Sequence, residues 1–393
     1  MNGMFSLDMA GIAISAFFIF SILSKKHRKG PDTILVLINV TIIGLLVADA
    51  LFQQQLTAVV FLLLNVLPLL LFPLFLIFAL EVLQEKIHHR GRWVLLFAPA
   101  LFAAFYMSAD LFVISRYSLP QLRRLYDAPT LGYHLLSKGL PLLFIGAFVW
   151  LLGKLRIYSV HIRERYSFID PIELRWLTQS TWIYLIITIL SLVGFISSQF
   201  SFLPITSHFV CNAIGILLFL AIFYLSFHGI RAYTIAEYYG TGQQPAPERN
   251  PIPPAAKPDE AEVGKYKTSS LTEAEQQTIF QKLVTLFEEQ TLYREPKLQL
   301  SDVADALHVS PHFLSQTINA TTGKPFYDFV NSYRVRHLQG LLKDPTQQKF
   351  TILALGMESG FNSKASLNRV FRQETGLSPS EFAQRHQAQL VLQ

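Results

Sequence analysis

Apolar positions follow two different rhythms along this chain. Up to about residue 230 they form long unbroken runs, at about 4–24, 33–53, 57–83, 93–115, 139–155, 176–199 and 205–228. Each is near the roughly 20 residues that an α-helix needs to cross a bilayer. Runs of that length exceed what a core helix of a soluble domain requires, so the pattern predicts seven spans. The fifth run is the shortest and has Pro141 near its start. From about residue 271 the apolar residues recur at helical spacing in short segments instead. Between the two regions, residues 240–270 are rich in Pro, Gly, Gln and charge and read as a disordered linker. Ser270-Leu271-Thr272-Glu273 reads as a capping box at the start of the next domain. The helix that follows is expected to bury Ile279, Leu283, Leu286 and Phe287. The expected division is a seven-span membrane domain over 1–232, a helix extension and linker over 233–270, and an all-α soluble domain over 271–393.

The soluble region repeats one local pattern twice. Residues 352–359 form a short apolar-periodic segment with Ile352, Leu355 and Met357. Gly360 breaks it, because glycine tolerates the positive φ of a tight turn. Ser363 is then a good N-cap. The helix after it carries Leu367, Val370 and Phe371 on one face, with Lys364, Asn368, Arg369 and Arg372 on the other. Gly376 ends that helix, and Ser378-Pro379 opens another, with the serine as cap and proline at the first position. About fifty residues earlier the same signals recur. Ser301 is expected to cap a helix with Val303, Ala304 and Leu307 inward, and His308-Val309 turns the chain. Ser310 caps a second helix with Leu314 and Ile318 inward, and Gly323 stops it. A long helix over about 327–342 joins the two units and carries Phe329, Val335, Leu338, Leu341 and Leu342. Helix, tight turn, helix with a polar outer face is the helix-turn-helix pattern. The fold class expected is therefore all-α: a seven-helix transmembrane bundle plus a cytoplasmic all-α tandem helix-turn-helix domain.

These residues resemble the AraC/XylS family of bacterial transcription regulators. The matching pieces are Ala304 with Ser310, LSQTIN (314–319), NSYRVRHLQGLL (331–342), Gly360-Phe361, Ser366, Arg369-Val370-Phe371-Arg372, Gly376-Leu377-Ser378-Pro379 and Phe382. They cover about residues 270–390. Gly356 stands where the family usually has Ala, Leu367 where it often has Phe, Arg372 where Lys is usual, and Phe382 where Tyr is usual. A helix-interior glycine costs up to about 1 kcal/mol. The resemblance implies one rigid domain that places two recognition helices in successive major grooves. The groove-facing residues are then His312, Ser315, Gln316 and Asn319 in the first unit, and Lys364, Ala365, Asn368, Arg369 and Arg372 in the second. Arg369 is the expected bidentate partner of a guanine edge. Its replacement by Ala is expected to cost roughly 1–3 kcal/mol and to relax specificity at one base pair.

Charge narrows this picture. The chain is +6 overall, but residues 271–393 carry twelve basic and twelve acidic side chains. From residue 310 onward the balance is nine basic to five acidic. Affinity for phosphates must come from a local face. In the apolar region the loops after the odd-numbered spans hold thirteen Lys and Arg. The alternate loops hold four, Arg116, Arg123, Arg124 and Lys138. That asymmetry predicts a bacterial inner-membrane protein with its N-terminus outside and its C-terminal domain in the cytoplasm, where DNA is. No basic segment precedes the first run, so a cleaved signal peptide is not expected. The lone Cys211 excludes an intramolecular disulfide or a cysteine metal cluster. No catalytic signature, cofactor motif or metal-ligand set is present in the sequence.

Ionisable groups inside spans are costly and point to function. With this orientation Asp8, Asp49 and Asp110 fall toward the outer third of their spans, near the level of His208 and Asn212. A shared outward pocket would favour a proton or a cationic ligand, since neighbouring carboxylates raise one another's pKa. The alternative is that each acid snorkels to the interface. Asp170-Pro171-Ile172-Glu173 is expected to cap a helix that runs into the sixth span.

The function expected is a membrane-anchored, one-component transcription regulator. Its expected partners are double-stranded promoter DNA, RNA polymerase, the lipid bilayer, an unidentified small ligand or proton, and a second copy of the chain in a homodimer. A transporter- or channel-like bundle with an appended regulatory domain is the alternative, and a passive membrane tether is a third.

Overall fold

The computed structural model describes residues 2–26, 28–54, 58–83, 96–98, 101–102, 131–200, 207–232, 238–239 and 272–391. The fold is all-α. The described residues form helices joined by turns, with a single isolated bridge between Tyr166 and Gln299. The chain divides into two compact units: Met1–Arg156 with Leu174–Thr234, and Ile157–Glu173 with Ile235–Gln393. Residues 157–173, placed by the sequence between two spans of the first domain, thus pack with the C-terminal domain. The linker at 240–270 and most of the fourth apolar run lie outside the described residues.

The first unit is built from α1 (Asn2–Leu23), α2 (Gly30–Gln54), α3 (Ala58–Val82), most of α4 (Leu131–Arg165), α5 (Arg175–Phe200) and α6 (Ser207–Gly229). These helices follow six of the seven apolar runs, and α4 extends well beyond the fifth. α2 packs between α1 and α3, while α6 lies against α1, α2 and α5. Aromatic side chains join α3 to its other neighbours. Phe72 stacks on Phe144 of α4 at 3.8 Å, and Phe75 lies 4.5 Å from Tyr184 of α5. Asn39 of α2 donates to the Ser226 hydroxyl of α6 at 2.9 Å. Large apolar side chains also point outward, among them Phe17, Phe20, Val59, Trp182 and Leu220. A helix that is apolar all round needs an apolar environment outside as well as inside. Three stretches among the described residues, Gly30–Leu51, Phe144–Arg165 and Arg175–Val193, are long and apolar enough to cross a membrane.

The second unit contains α7 (Glu273–Gln290), α8 (Leu300–Leu307), α9 (Pro311–Thr322), α10 (Phe326–Lys343), α11 (Ile352–Glu358), α12 (Lys364–Thr375) and α13 (Pro379–Val391). Its core has two halves with α10 as their common spine. Phe329 and Val330 pack with Leu283, Phe287, Val303, Leu314 and Ile318. One turn and more along the same helix, Val335 and Leu338 pack with Leu355, Phe361, Leu367, Val370 and Phe371. Local signals set most boundaries. Ser310, Ser363 and Ser378 each accept a backbone N–H three residues on. Gly323 and Gly376 close α9 and α12 with φ of 65° and 75°.

Several local expectations shift. The capping box that opens α7 is Thr272 with Glu275, two residues beyond the expected position; Ser270 and Thr272 both have a glutamate three residues on, and it is Thr272 that exchanges hydrogen bonds with its own. α8 begins at Leu300 rather than after Ser301, since the Asp302 carboxylate accepts the Gln299 N–H at 2.8 Å. In α11 it is Gly356, not Met357, that lies inward beside Leu355.

Candidate nucleic-acid interface

α9 and α12 are the second helices of the two helix-turn-helix units. α9 buries Leu314, Thr317 and Ile318. That leaves His312 exposed and Ser315, Gln316 and Asn319 partly exposed on the other side. α12 buries Ser366, Leu367, Val370 and Phe371. Lys364, Ala365, Asn368 and Arg372 are exposed. α9 carries no Lys or Arg, whereas α12 presents several. Arg372 lies 3.6 Å from the Glu381 carboxylate, with both side chains exposed. Such a surface pair contributes little and leaves Arg372 available.

Arg369 differs from its neighbours. It lies at the edge of the polar face with its side chain 26% exposed, and its guanidinium meets the Asp170 carboxylate at 2.5 Å. It also donates to the Tyr327 hydroxyl at 3.1 Å. The other Asp170 oxygen accepts from the Ser363 hydroxyl, the N-cap of α12, at 3.4 Å. Asp170 therefore does not cap a helix, contrary to the expectation from Asp170-Pro171. Residues 170–172 form a turn, and α5 begins only at Arg175.

Deeper in the same unit lies a polar cluster that the sequence reading missed. Arg334 of α10 is 1% exposed. Its Nε donates to the Tyr293 carbonyl at 2.8 Å. One terminal nitrogen donates to the Ser167 carbonyl at 3.1 Å and the Asn331 amide oxygen at 3.3 Å. The other donates to the Ser167 hydroxyl at 3.0 Å and the Glu295 carbonyl at 2.7 Å. All five guanidinium N–H groups are thus used, which is how a buried charge avoids its desolvation penalty. Burial pushes Arg334 down to about 10, so it stays protonated at neutral pH. Ser167 is held in turn by its N–H to the Leu298 carbonyl at 3.1 Å. A signal was present: Val330, Arg334 and Leu338 recur every four residues, which puts a charge on the apolar face of α10.

Burial raises the Asp328 carboxyl, with Arg163 acting against it at 4.0 Å. Burial lowers the His337 ring, assisted by Arg294, and its Nδ1 lies 3.0 Å from the Ser359 hydroxyl. Among the outer acids Asp49 is partly buried in α2. The side chains of Asp8, Asp110, His208 and Asn212 lie outside the described residues. No cluster of metal-ligating side chains occurs among the described residues.

Comparison with known proteins matches this unit. A family model described as a helix-turn-helix domain matches residues 303–385. The uncharacterised HTH-type transcriptional regulator YijO of Escherichia coli strain K12 is 30% identical over 94 residues, which cover 24% of this chain and 32% of that protein. The HTH-type transcriptional activator RhaR of Salmonella dublin is 26% identical over 118 residues, 30% of this chain and 40% of that protein. The chain thus spans about a third to two-fifths of the length of these curated relatives. A solved protein of unknown function from Listeria innocua aligns at 25% identity over 28% of this chain and 97% of its own, with a TM-score of 0.25. The C-terminal unit carries an AraC-type helix-turn-helix domain.

Proposed function

We propose that this chain is a DNA-binding transcription regulator of the AraC type, anchored in a bacterial inner membrane by its first unit, and not an enzyme. The observation that carries this reading is the pair of helix-turn-helix units on one rigid helix, α10, each with its second helix turning a polar face outward. The named relatives, both HTH-type transcriptional regulators, support it. The test is footprinting of the full chain in detergent on sequences selected for binding. Two protected sites about one helical turn apart, roughly 10–10.5 bp, are expected. Equal affinity for random and selected duplexes would sink the reading.

The anchoring rests on the outward apolar side chains of the first unit and the asymmetry of loop charge. The first unit then acts as a sensor for an external or membrane stimulus. Reporter fusions after residues 30, 90, 165 and 235 are expected to report cytoplasm, and fusions near 55, 125 and 203 the outside. A cytoplasmic signal at 125 would re-pair the spans around that loop.

A further inference from the structure

The segment between α4 and α5 is part of the second unit by packing and by hydrogen bonding. Ile162, Tyr166, Ile169 and Ile172 are buried in the half of the core that supports α12. Ser167 fills two of the five donor directions of Arg334. The Phe168 carbonyl accepts from the Tyr239 hydroxyl at 2.6 Å. Beyond these anchors the segment places Asp170 against the N-terminal turn of α12, where one carboxylate oxygen faces Arg369 and the other the Ser363 hydroxyl. Arg369 lies beside the exposed Lys364, Ala365, Asn368 and Arg372 of the outer face of α12. A carboxylate held by a guanidinium and a hydroxyl at a helix N-terminus uses the donors that a DNA phosphate or base acceptor would use.

We propose that residues 166–170 form a latch that competes with DNA for α12, with Asp170 standing in for a nucleic-acid acceptor on Arg369 and Ser363. The latch rests on the DNA-binding reading above. One guanidinium cannot give the same N–H groups to Asp170 and to DNA, and the bound carboxylate adds a negative charge where phosphates would lie. Binding of DNA and docking of Asp170 are therefore mutually unfavourable, and each weakens the other by the same factor. The segment is joined covalently at both ends to the first unit, through Arg156 and Leu174. Movement of the helix ends that it connects would draw Asp170 off α12 without the 240–270 linker taking part. The aliphatic and Ser167 contacts hold the segment on the unit, while Asp170 is the part that DNA displaces.

The test compares the full chain in detergent with its Asp170→Asn variant for affinity toward a selected duplex. The variant keeps the shape but loses the charge, and a gain of about threefold to tenfold is expected. In an Arg369→Ala background the same change is expected to give no gain. A second readout uses the unmodified chain. Amide hydrogen exchange at residue 173, whose N–H closes the turn around Asp170 by donating to the Ile169 carbonyl at 2.7 Å, is expected to accelerate when the duplex is added, while residue 167 stays protected. Unchanged or weaker binding by a folded Asp170→Asn variant overturns the latch, because Asp170 would then orient Arg369 for DNA or be neutral. Should the variant not fold, unchanged exchange at residue 173 on adding DNA overturns it in the same way. Failure of the unmodified chain to prefer selected over random DNA overturns the DNA-binding reading itself, and the latch with it.

Discussion

At Gly360 the backbone turns with φ of 94°. A Cβ there would lie 2.7 Å from the Tyr293 carbonyl oxygen and 2.9 Å from the Arg294 Cα. Those are backbone atoms with no rotamer to yield. Gly360→Ala is expected to destabilise the second unit by about 2–4 kcal/mol, combining the left-handed conformation with the clash. A urea melt followed by hydrogen exchange would show it, and a neutral result would mean that the 293–294 turn moves freely. Gly356 is a milder case. A Cβ there would lie 2.6 Å from a δ-carbon of Leu367, so two departures from the family pattern touch each other. Gly356→Ala gains up to about 1 kcal/mol of helix propensity but overpacks a buried side chain, for a net loss of about 1 kcal/mol. His337 supplies a pH dependence. Its folded pKa is lowered, first by burial and then by Arg294, so the unfolded chain binds the proton more readily. Stability from this group is full above the ordinary histidine value of about 6.5 and falls as pH drops below it. The urea midpoint should fall between about pH 7 and 5.5, with a weaker slope in His337→Gln. Equal slopes would assign the acid sensitivity to another group.

Among the elements, α10 links α9 and α12, because its two apolar faces belong to different halves of one core. The 157–173 segment completes the half behind α12 with four apolar side chains and the Ser167 acceptors of Arg334. A fragment of residues 265–393 lacks that segment. It leaves part of a buried guanidinium without protein acceptors, which costs stability unless water replaces them. The fragment should therefore unfold at lower urea than a version to which the 157–173 peptide is added. A midpoint that ignores saturating peptide would mean that the segment contributes nothing to the fold. At the helix ends, the Ser310 hydroxyl accepts the Phe313 N–H at 3.2 Å. Its replacement by Ala is expected to cost about 1 kcal/mol.

Over the whole molecule, the chain passes between the two units three times, after Arg156, Glu173 and Thr234. The sequence suggests only the last crossing, through a linker over about 240–270 that lies outside the described residues. The expectation from the sequence is that such a linker averages away a small rotation and signals through proximity between two chains. The first two crossings offer a shorter covalent path. Doubling the linker with Gly and Ser should therefore preserve the response of promoter output and weaken it modestly. A short Gly/Ser insertion after Glu173 should uncouple output from the stimulus. Loss of response on lengthening the linker, at unchanged expression, would assign transmission to the linker instead.

The all-α fold, the two helix-turn-helix units and the polar face of α12 were legible in the sequence. They depend on signals acting over a few residues: serine caps, glycine stops and apolar positions at helical spacing. Asp170-Pro171 carries such a local signal, and there it misleads. The aspartate is drawn to an arginine 199 positions away, which no local pattern records. The burial of Arg334 and the membership of residues 157–173 in the second unit were likewise decided only by tertiary structure. A charge enters a core when distant carbonyls and hydroxyls converge on all its donors, and that convergence depends on how helix faces meet.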